Sequence, residues 1–284
     1  EGMDRTIQKI IDAGKRYVVL TNDASRNQEQ LAESYHNLGL YNVKPEDFVS
    51  SGMMAKNFLQ AKIKQGIVTY LGTDNASQYI SEAGREAVSI SKLQPENYHE
   101  VSAMVFLDDE GFDWNIDINK TLNLLRFHNI PVIVANTDMI YPKSNREINM
   151  AAGSVSRLLE NILGRSFIKF GKPDSQMFMY GFDIVNKYQI TAKSDILMVG
   201  DTLHTDILGG NKFGLATALA LTGNTSESEA MRDDLWHYLE EKSPDAYKIL
   251  KSSVLGKFTK SHNKLSHKLT MGGYKIAQKW IGFN

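Results

Sequence analysis

Residues 196–225 read ILMVGDTLHTDILGGNKFGLATALALTGNT, and this stretch decides the fold. Ile196–Gly200 is a short apolar run rich in strand formers, ended by glycine and an acid, and too brief for a helix. Thr205–Lys212 follows as a helix, and Leu215–Leu221 is a second apolar run. Strand, helix and strand in so little chain describe a parallel crossover unit. Two carboxylates, Asp201 and Asp206, stand where the first strand passes into the helix.

The same alternation extends outward. Ile7–Ala13 ends a helix closed by Gly14 and the basic pair Lys15–Arg16. Further strands are expected at Tyr17–Thr21, Ile67–Leu71, Ala103–Leu107, Pro131–Ala135 and Phe167–Phe170. Helices are expected at Ser25–Leu38, Met53–Lys64, Ile116–Phe127, Met150–Leu163 and Ser175–Lys187. The pattern implies an α/β fold with a parallel sheet wound on both faces. No internal repeat and no low-complexity linker interrupts it.

Composition bounds the alternatives. The chain has 284 residues and 31.9 kDa, enough for two α/β units or one domain with a large insertion. Apolar residues are 42% and charged residues 23%, which excludes a disordered chain. No apolar run approaches the roughly eighteen residues of a membrane span. With no cysteine there is no disulfide framework, thiolate metal site or cysteine nucleophile. No secretory signal is read at the start, so a cytoplasmic place is expected. Residues 1–245 carry 24 Lys+Arg against 33 Asp+Glu, a balance of −9, whereas residues 246–284 carry eight Lys and no acid, +8. An amphipathic helix with lysines facing water explains that tail better than a membrane surface, and the acidic main body argues against nucleic acid.

In parallel α/β sheets reactive residues gather beyond the carboxyl ends of the strands. Three such places carry polar side chains. Thr21-Asn22-Asp23 offers a hydroxyl and following backbone N–H groups that can hold a phosphate oxygen, or else simply caps a helix. Gly171-Lys172-Pro173-Asp174 opens a helix; a lysine there opposes the helix dipole and calls for an anion or carboxylate nearby, unless it faces solvent. Asp201 and Asp206 would repel each other at one crevice without a cation, and paired hard oxygens suit Mg²⁺; the alternative is two acids complementing a helix N-terminus. His204 reads as a helix-surface residue. Hydroxyl, lysine and paired aspartates together suggest a phosphate-plus-magnesium site. No Walker A loop, dinucleotide glycine fingerprint, HExxH or GxSxG string occurs.

These residues carry a resemblance. VVLTNDASR (18–26), GKPDSQMF (171–178) and residues 196–225 resemble motifs two, three and four of the haloacid-dehalogenase (HAD) superfamily, and more closely its nitrophenylphosphatase/NagD-like phosphatases. The likeness spans residues 1–225 and extends towards 258 through Ser243-Pro244-Asp245. It implies a HAD-like Rossmannoid parallel-sheet core at 1–74 and 167–258, an inserted α/β cap at 75–166 and a basic tail at 259–284. It also implies that Thr21 and Asn22 bind the transferring phosphoryl group, Lys172 neutralises its charge, Asp201 ligates Mg²⁺, and Asp206 ligates through water or orients Lys172. Asn136-Thr137-Asp138 with Tyr141-Pro142 resembles the family's substrate-side loop, or is a plain strand-to-turn cap. Asp108-Asp109-Glu110 reads as a solvated turn rather than a second metal site.

By the same resemblance a first motif, hhhDxxG, should precede Thr21 and supply the nucleophilic aspartate. Glu1-Gly2-Met3-Asp4 matches the stretch after that motif, and Asp4 has no apolar strand before it. The motif-one strand would lie between those bearing Thr21 and Asp201. Its loss would forfeit about five buried side chains, on the order of 10 kcal/mol, against a domain stability of about 5–15 kcal/mol. The expectation is therefore a piece of a longer Mg²⁺-dependent phosphatase of a small phosphorylated metabolite, such as a sugar phosphate, acting through an aspartyl-phosphate and pairing through its cap. The alternative is a protein that keeps the pocket and binds phosphometabolites without chemistry.

Overall fold

Parallel strands dominate the computed structural model, which describes residues 3–144, 147–188, 192–221 and 224–225. The chain divides into two compact units, one built on Tyr17–Gly181 with the start of the first helix, the other on Lys9–Arg16 and the chain from Phe182 onward. The expected segment 243–258 and the basic tail 259–284 lie outside the described residues. No helix among the described residues is long and apolar enough to cross a membrane.

Helix α1, Met3–Asp12, is followed by Gly14 at φ 64°, as the glycine and basic pair predict. Strand β1, Val19–Thr21, pairs parallel to β2, Phe48–Ser50, with Thr21 opposite Ser50. Helix α2, Gln28–Asn37, starts three residues later than expected. The cause is Asp23, whose Oδ1 accepts from Ser25 N at 2.8 Å and Arg26 N at 3.2 Å and turns the chain first. Asn27 then caps the helix in a reciprocal capping box with Gln30. Ile7, Leu31, Val43 and Phe48 form the apolar cluster between these elements. Helix α3, Ser51–Lys62, is capped by Ser50 and leads to β3, Ile67–Leu71, as expected from Ile67–Leu71 and Gly72.

Helix α4, Gln78–Glu82, leads to β4, Glu86–Ser89; β5 is Val101–Phe106, α5 is Ile116–Phe127 and β6 is Val132–Val134. An antiparallel hairpin follows, β7 Ile140–Ser144 with β8 Glu147–Met150, which the sequence pattern does not announce. Helix α6, Ala152–Leu163, ends on Gly164 in the left-handed region, and β9 is Ile168–Lys169. One parallel sheet takes the order β4-β3-β5-β6-β9. Strand β3 is buried at all five residues, so both its faces are covered, which explains why β-branched and aromatic residues fill it without alternation. On one face Met104, Phe106 and Val134 meet Leu124 and Leu125 of α5 and Val155 and Leu159 of α6. The chain order reverses between β3 and β5, the switch point beside which such sheets place ligands.

Hydrogen-bonded neighbours β3 and β5, and β6 and β9, stand on opposite sides of the boundaries drawn from sequence at 74/75 and 166/167. Periodicity marks a strand but not its partner, and the pairing carries the sheet across both boundaries. In the second unit β10, Leu197–Gly200, pairs parallel to β11, Ala216–Leu219. Helix α7, Ser175–Tyr188, precedes them; between them a π-helical turn, Leu203–Ile207, runs into α8, Leu208–Phe213. The expected single helix from Thr205 is thus a wide turn followed by a short α-helix.

Candidate active site

Beyond the carboxyl ends of β1, β6 and β9, three segments distant in sequence meet around Asn22. Its side chain is 3% exposed. Oδ1 accepts from Lys172 N at 2.7 Å, while Nδ2 donates to Lys172 O at 3.1 Å and to Asp138 Oδ1 at 2.9 Å. Thr137 Oγ1 also donates to Lys172 O, at 3.2 Å. A Cβ on Gly171 would stand 2.7 Å from Asn22 Oδ1, and Gly171 has φ 117°, so only glycine lets this loop approach. Asn22, placed by the resemblance on the phosphoryl group, spends both ends of its amide on the protein instead; its backbone N–H remains the group that can face an anion.

Thr21 Oγ1 accepts from Asp23 N at 3.2 Å, which leaves its hydroxyl hydrogen to donate elsewhere. Asp23 turns its carboxylate to Arg26, whose Nε and Nη2 reach Oδ2 at 2.8 and 2.5 Å. Its side chain therefore compensates a guanidinium, and any part in holding phosphate falls to backbone groups of the turn. Sequence reasoning misses Arg26 because nothing in its spacing separates it from a surface arginine.

Lys172 lies three residues ahead of α7, where Asp174 shapes the entry by accepting from Gln176 N at 2.8 Å. Asn136 Oδ1 accepts from Asp138 N at 2.9 Å, folding the Asn136–Asp138 loop on itself. The carbonyls of Thr137 and Asp138 press so close to Gly153 that a Cβ there would overlap both. The loop is thus both a strand-to-turn cap and a partner of Asn22.

Next to it, Tyr141 Oη donates to Asp109 Oδ2 at 2.9 Å and accepts from Asn149 Nδ2 at 3.1 Å. Asp108 departs from the solvated turn expected there. Burial pushes its carboxyl up to about 6, against the N–H of Asp109 that holds it down, and the charges of Asp109, Glu110 and Asp23 add to the rise.

In the second unit Asp201 stands at the end of β10. Thr202 Oγ1 donates to its Oδ1 at 3.2 Å and Asn224 N to its Oδ2 at 2.8 Å, leaving lone pairs of a part-exposed carboxylate uncommitted. Asp206 is 3% exposed, and its Oδ2 accepts from both Asp201 N and Thr202 N at 3.1 Å. A Cβ on Gly200 would overlap the Asp206 carboxyl, so glycine is required there. Asp206 therefore shapes the turn that presents Asp201. His204 is exposed, as expected. No cluster of three His, Asp or Glu side chains that could hold a metal occurs among the described residues. The donor set still fits magnesium: this ion needs only one or two carboxylates and keeps several waters.

Comparison with known proteins gives the family. Residues 1–86 match the model of haloacid dehalogenase-like hydrolases and residues 169–246 that of HAD-hydrolase-like proteins. A HAD-superfamily protein from Cytophaga hutchinsonii, described as a possible sugar phosphatase, is 49% identical, with a TM-score of 0.78 over 85% of this chain and 83% of that one. The chain belongs to the haloacid-dehalogenase superfamily, in its NagD-like class of phosphatases. Bovine chronophin is 27% identical over 86% of this chain and 85% of its own. A glycerol phosphate phosphatase from Mycobacterium tuberculosis, solved in complex with magnesium, is 26% identical, with a TM-score of 0.65 over 80% of this chain and 64% of that one.

Proposed function

We propose that this protein is a Mg²⁺-dependent hydrolase of small phosphomonoesters, a sugar phosphate or a metabolite of similar size. The observation that carries the reading is the two-sided hydrogen bonding of Asn22 to the main chain of Lys172, which draws the Thr21 strand end and the lysine loop to one place. The Thr21 hydroxyl donates to a phosphate oxygen, the N–H groups of the following turn add to it, and the Lys172 ammonium neutralises developing charge. Asp201 would hold the magnesium, which when bound supplies further charge neutralisation and alignment of phosphate oxygens. The nucleophile, an aspartate of motif one, and the aspartyl-phosphate route rest on the family likeness. The magnesium-bearing and sugar phosphatase relatives support the ion and the substrate class.

Release of inorganic phosphate from a panel of sugar phosphates, with and without Mg²⁺, tests the proposal in protein carrying motif one. Turnover should fall by at least 10²-fold in Asp201→Asn and in Lys172→Ala. Unchanged turnover in Asp201→Asn removes that residue from the mechanism. Thermal stabilisation by the same esters with no phosphate release from the unsubstituted protein would instead establish binding without chemistry.

A further inference from the structure

Two donors from the segment entering α4 hold the turn that follows Thr21. Asn75 donates through Nδ2 to Ser25 O at 2.8 Å, and Tyr79, four residues on, donates through Oη to Arg26 O at 2.6 Å. The two carbonyls are consecutive. On their other side, the N–H groups of the same residues, Ser25 and Arg26, are both taken by Asp23 Oδ1. Each residue is thus gripped twice, by Asp23 through its N–H and by the α4 segment through its carbonyl. The N–H of Asp23 binds Thr21 Oγ1 at 3.2 Å, the bond that leaves the threonine hydroxyl hydrogen free to donate.

Tyr79 also reaches the strand beside Thr21. Its Oη lies 2.8 Å from Oγ of Ser50, the residue opposite Thr21 in the pairing of β1 with β2. A phenol has one hydrogen and the Arg26 carbonyl can only accept, so that hydrogen goes to Arg26 and the Ser50 hydroxyl donates to the phenol. Ser50 Oγ accepts from Met53 N at 3.2 Å. A chain of bonds with one direction therefore runs from the first turn of α3 through Ser50 and Tyr79 to Arg26, and such bonds polarise one another. Burial pushes the phenol's pKa up, which keeps it a donor at neutral pH. Tyr79 is 1% exposed, so it acts on the site through the turn and not by touching a ligand.

The segment bearing both donors is itself fixed. Gln30 Nε2 donates to Asn75 Oδ1 at 2.7 Å, and its Oε1 accepts from Gln78 Nε2 at 3.0 Å. Asn27 Nδ2 donates to Gln78 Oε1 at 2.9 Å. Four carboxamides thus seam the start of α2 to the start of α4.

We infer that Tyr79 and Asn75 are positioning residues of the phosphate-binding turn: they fix the carbonyls of Arg26 and Ser25 and, through Asp23, the direction in which the Thr21 hydroxyl donates. This role rests on the reading of Thr21 and its turn as the phosphate site. Loss of either tie loosens a contact made with bound substrate and transition state alike, which shows in KM rather than in kcat.

Tyr79→Phe removes only a hydroxyl, and Asn75→Ala only an exposed carboxamide. In protein carrying motif one, KM for a sugar phosphate should rise at least fivefold in Tyr79→Phe and at least twofold in Asn75→Ala, with kcat within twofold of the parent. Calorimetric titration with inorganic phosphate should show a matching loss of affinity. Leu125→Ala, a core change on α5, should lower the melting temperature at least as much as Tyr79→Phe and leave KM unchanged, which separates positioning from general destabilisation. Unchanged KM in either variant overturns the role, as does a KM in Leu125→Ala raised as far as that of Tyr79→Phe. Asn75→Ala, at an exposed position, decides the matter even if Tyr79→Phe does not fold. An unsubstituted protein that neither binds inorganic phosphate nor turns over the esters overturns the phosphate site and this role together, whereas unchanged KM in a variant overturns only the role.

Discussion

Asn22 clasps Lys172 through both faces of its main chain, accepting from the lysine N–H at 2.7 Å and donating to its carbonyl at 3.1 Å. An amide side chain is the one neutral group of this size that can do both, having an acceptor and two donor hydrogens in one plane. The lysine's position thus depends on a residue that need not touch the phosphate.

Replacing Asn22 should therefore act through Lys172. Asn22→Ala removes three hydrogen bonds in a largely buried setting and should cost about 2–4 kcal/mol. Asn22→Asp keeps the shape but sets a carboxylate against Asp138 Oδ1 and the Lys172 carbonyl, and should cost at least as much above pH 5. Urea unfolding gives the stabilities, and titration with inorganic phosphate should show weaker binding in both variants. Native phosphate affinity in Asn22→Ala would remove the positioning role.

Asp108 sets a pH dependence. Its folded carboxyl is raised from 3.8 to about 6, so between these values the folded state binds more protons than the unfolded state. Stability contributed by this group is therefore lost as pH rises through that window. Two pKa units correspond to somewhat under 3 kcal/mol, reduced to about 1–2 kcal/mol for a partly exposed carboxyl. Asp108→Asn should remove the decline and leave the protein more stable at pH 7. Urea midpoints across pH 4–7 for both proteins decide this, and parallel curves would contradict it.

The two aspartates after β10 should separate by readout. Asp206→Ala strips the acceptor from the N–H groups of Asp201 and Thr202 and should cost about 2–4 kcal/mol in urea unfolding. Asp201→Asn keeps nearly the same shape and should cost less than about 1 kcal/mol, while Mg²⁺ no longer raises the melting temperature. Equal destabilisation by the two would mean that Asp201 is also structural.

Gly52 and Tyr79 should be coupled. A Cβ at Gly52 would overlap the Tyr79 ring, and that ring is pinned because its Oη donates to Arg26 O at 2.6 Å and pairs with Ser50 Oγ at 2.8 Å. Gly52→Ala should cost about 2–3 kcal/mol, and much less in a Tyr79→Leu background. A double-mutant cycle measures the difference, and additive costs would show that the ring can move aside.

Much of the molecule is legible in its sequence. Ile67–Leu71 and Ile116–Phe127 match their elements to the residue because Gly72 and the polar flanks punctuate them. Strand ends bearing Thr21, Lys172 and Asp201 are marked by reactive side chains following short apolar runs. What escapes is partnership. Strands β2 (FVS) and β4 (EAVS) hold no run of three apolar residues to set them off from their polar flanks, and the hairpin hides Pro142 and Lys143 in what reads as a loop. The hydrogen bonds of Asn22 to Lys172, and the burial that lifts Asp108, arise between segments no local pattern connects. Asp23 looks like part of an anion turn, and its commitment to Arg26 emerges only from rotamers.

The clasp of Asn22 on Lys172 joins positions 150 residues apart. On a ribosome moving at about 5–20 residues per second, Asn22 waits roughly 8–30 s after its own synthesis for its partner to be made. Until then its amide is open to water, to Thr137 once made, or to wrong partners. The lysine corner of the pocket is thus completed long after its first half is made, and a cell that slows translation before residue 172 prolongs the interval in which that corner stands open.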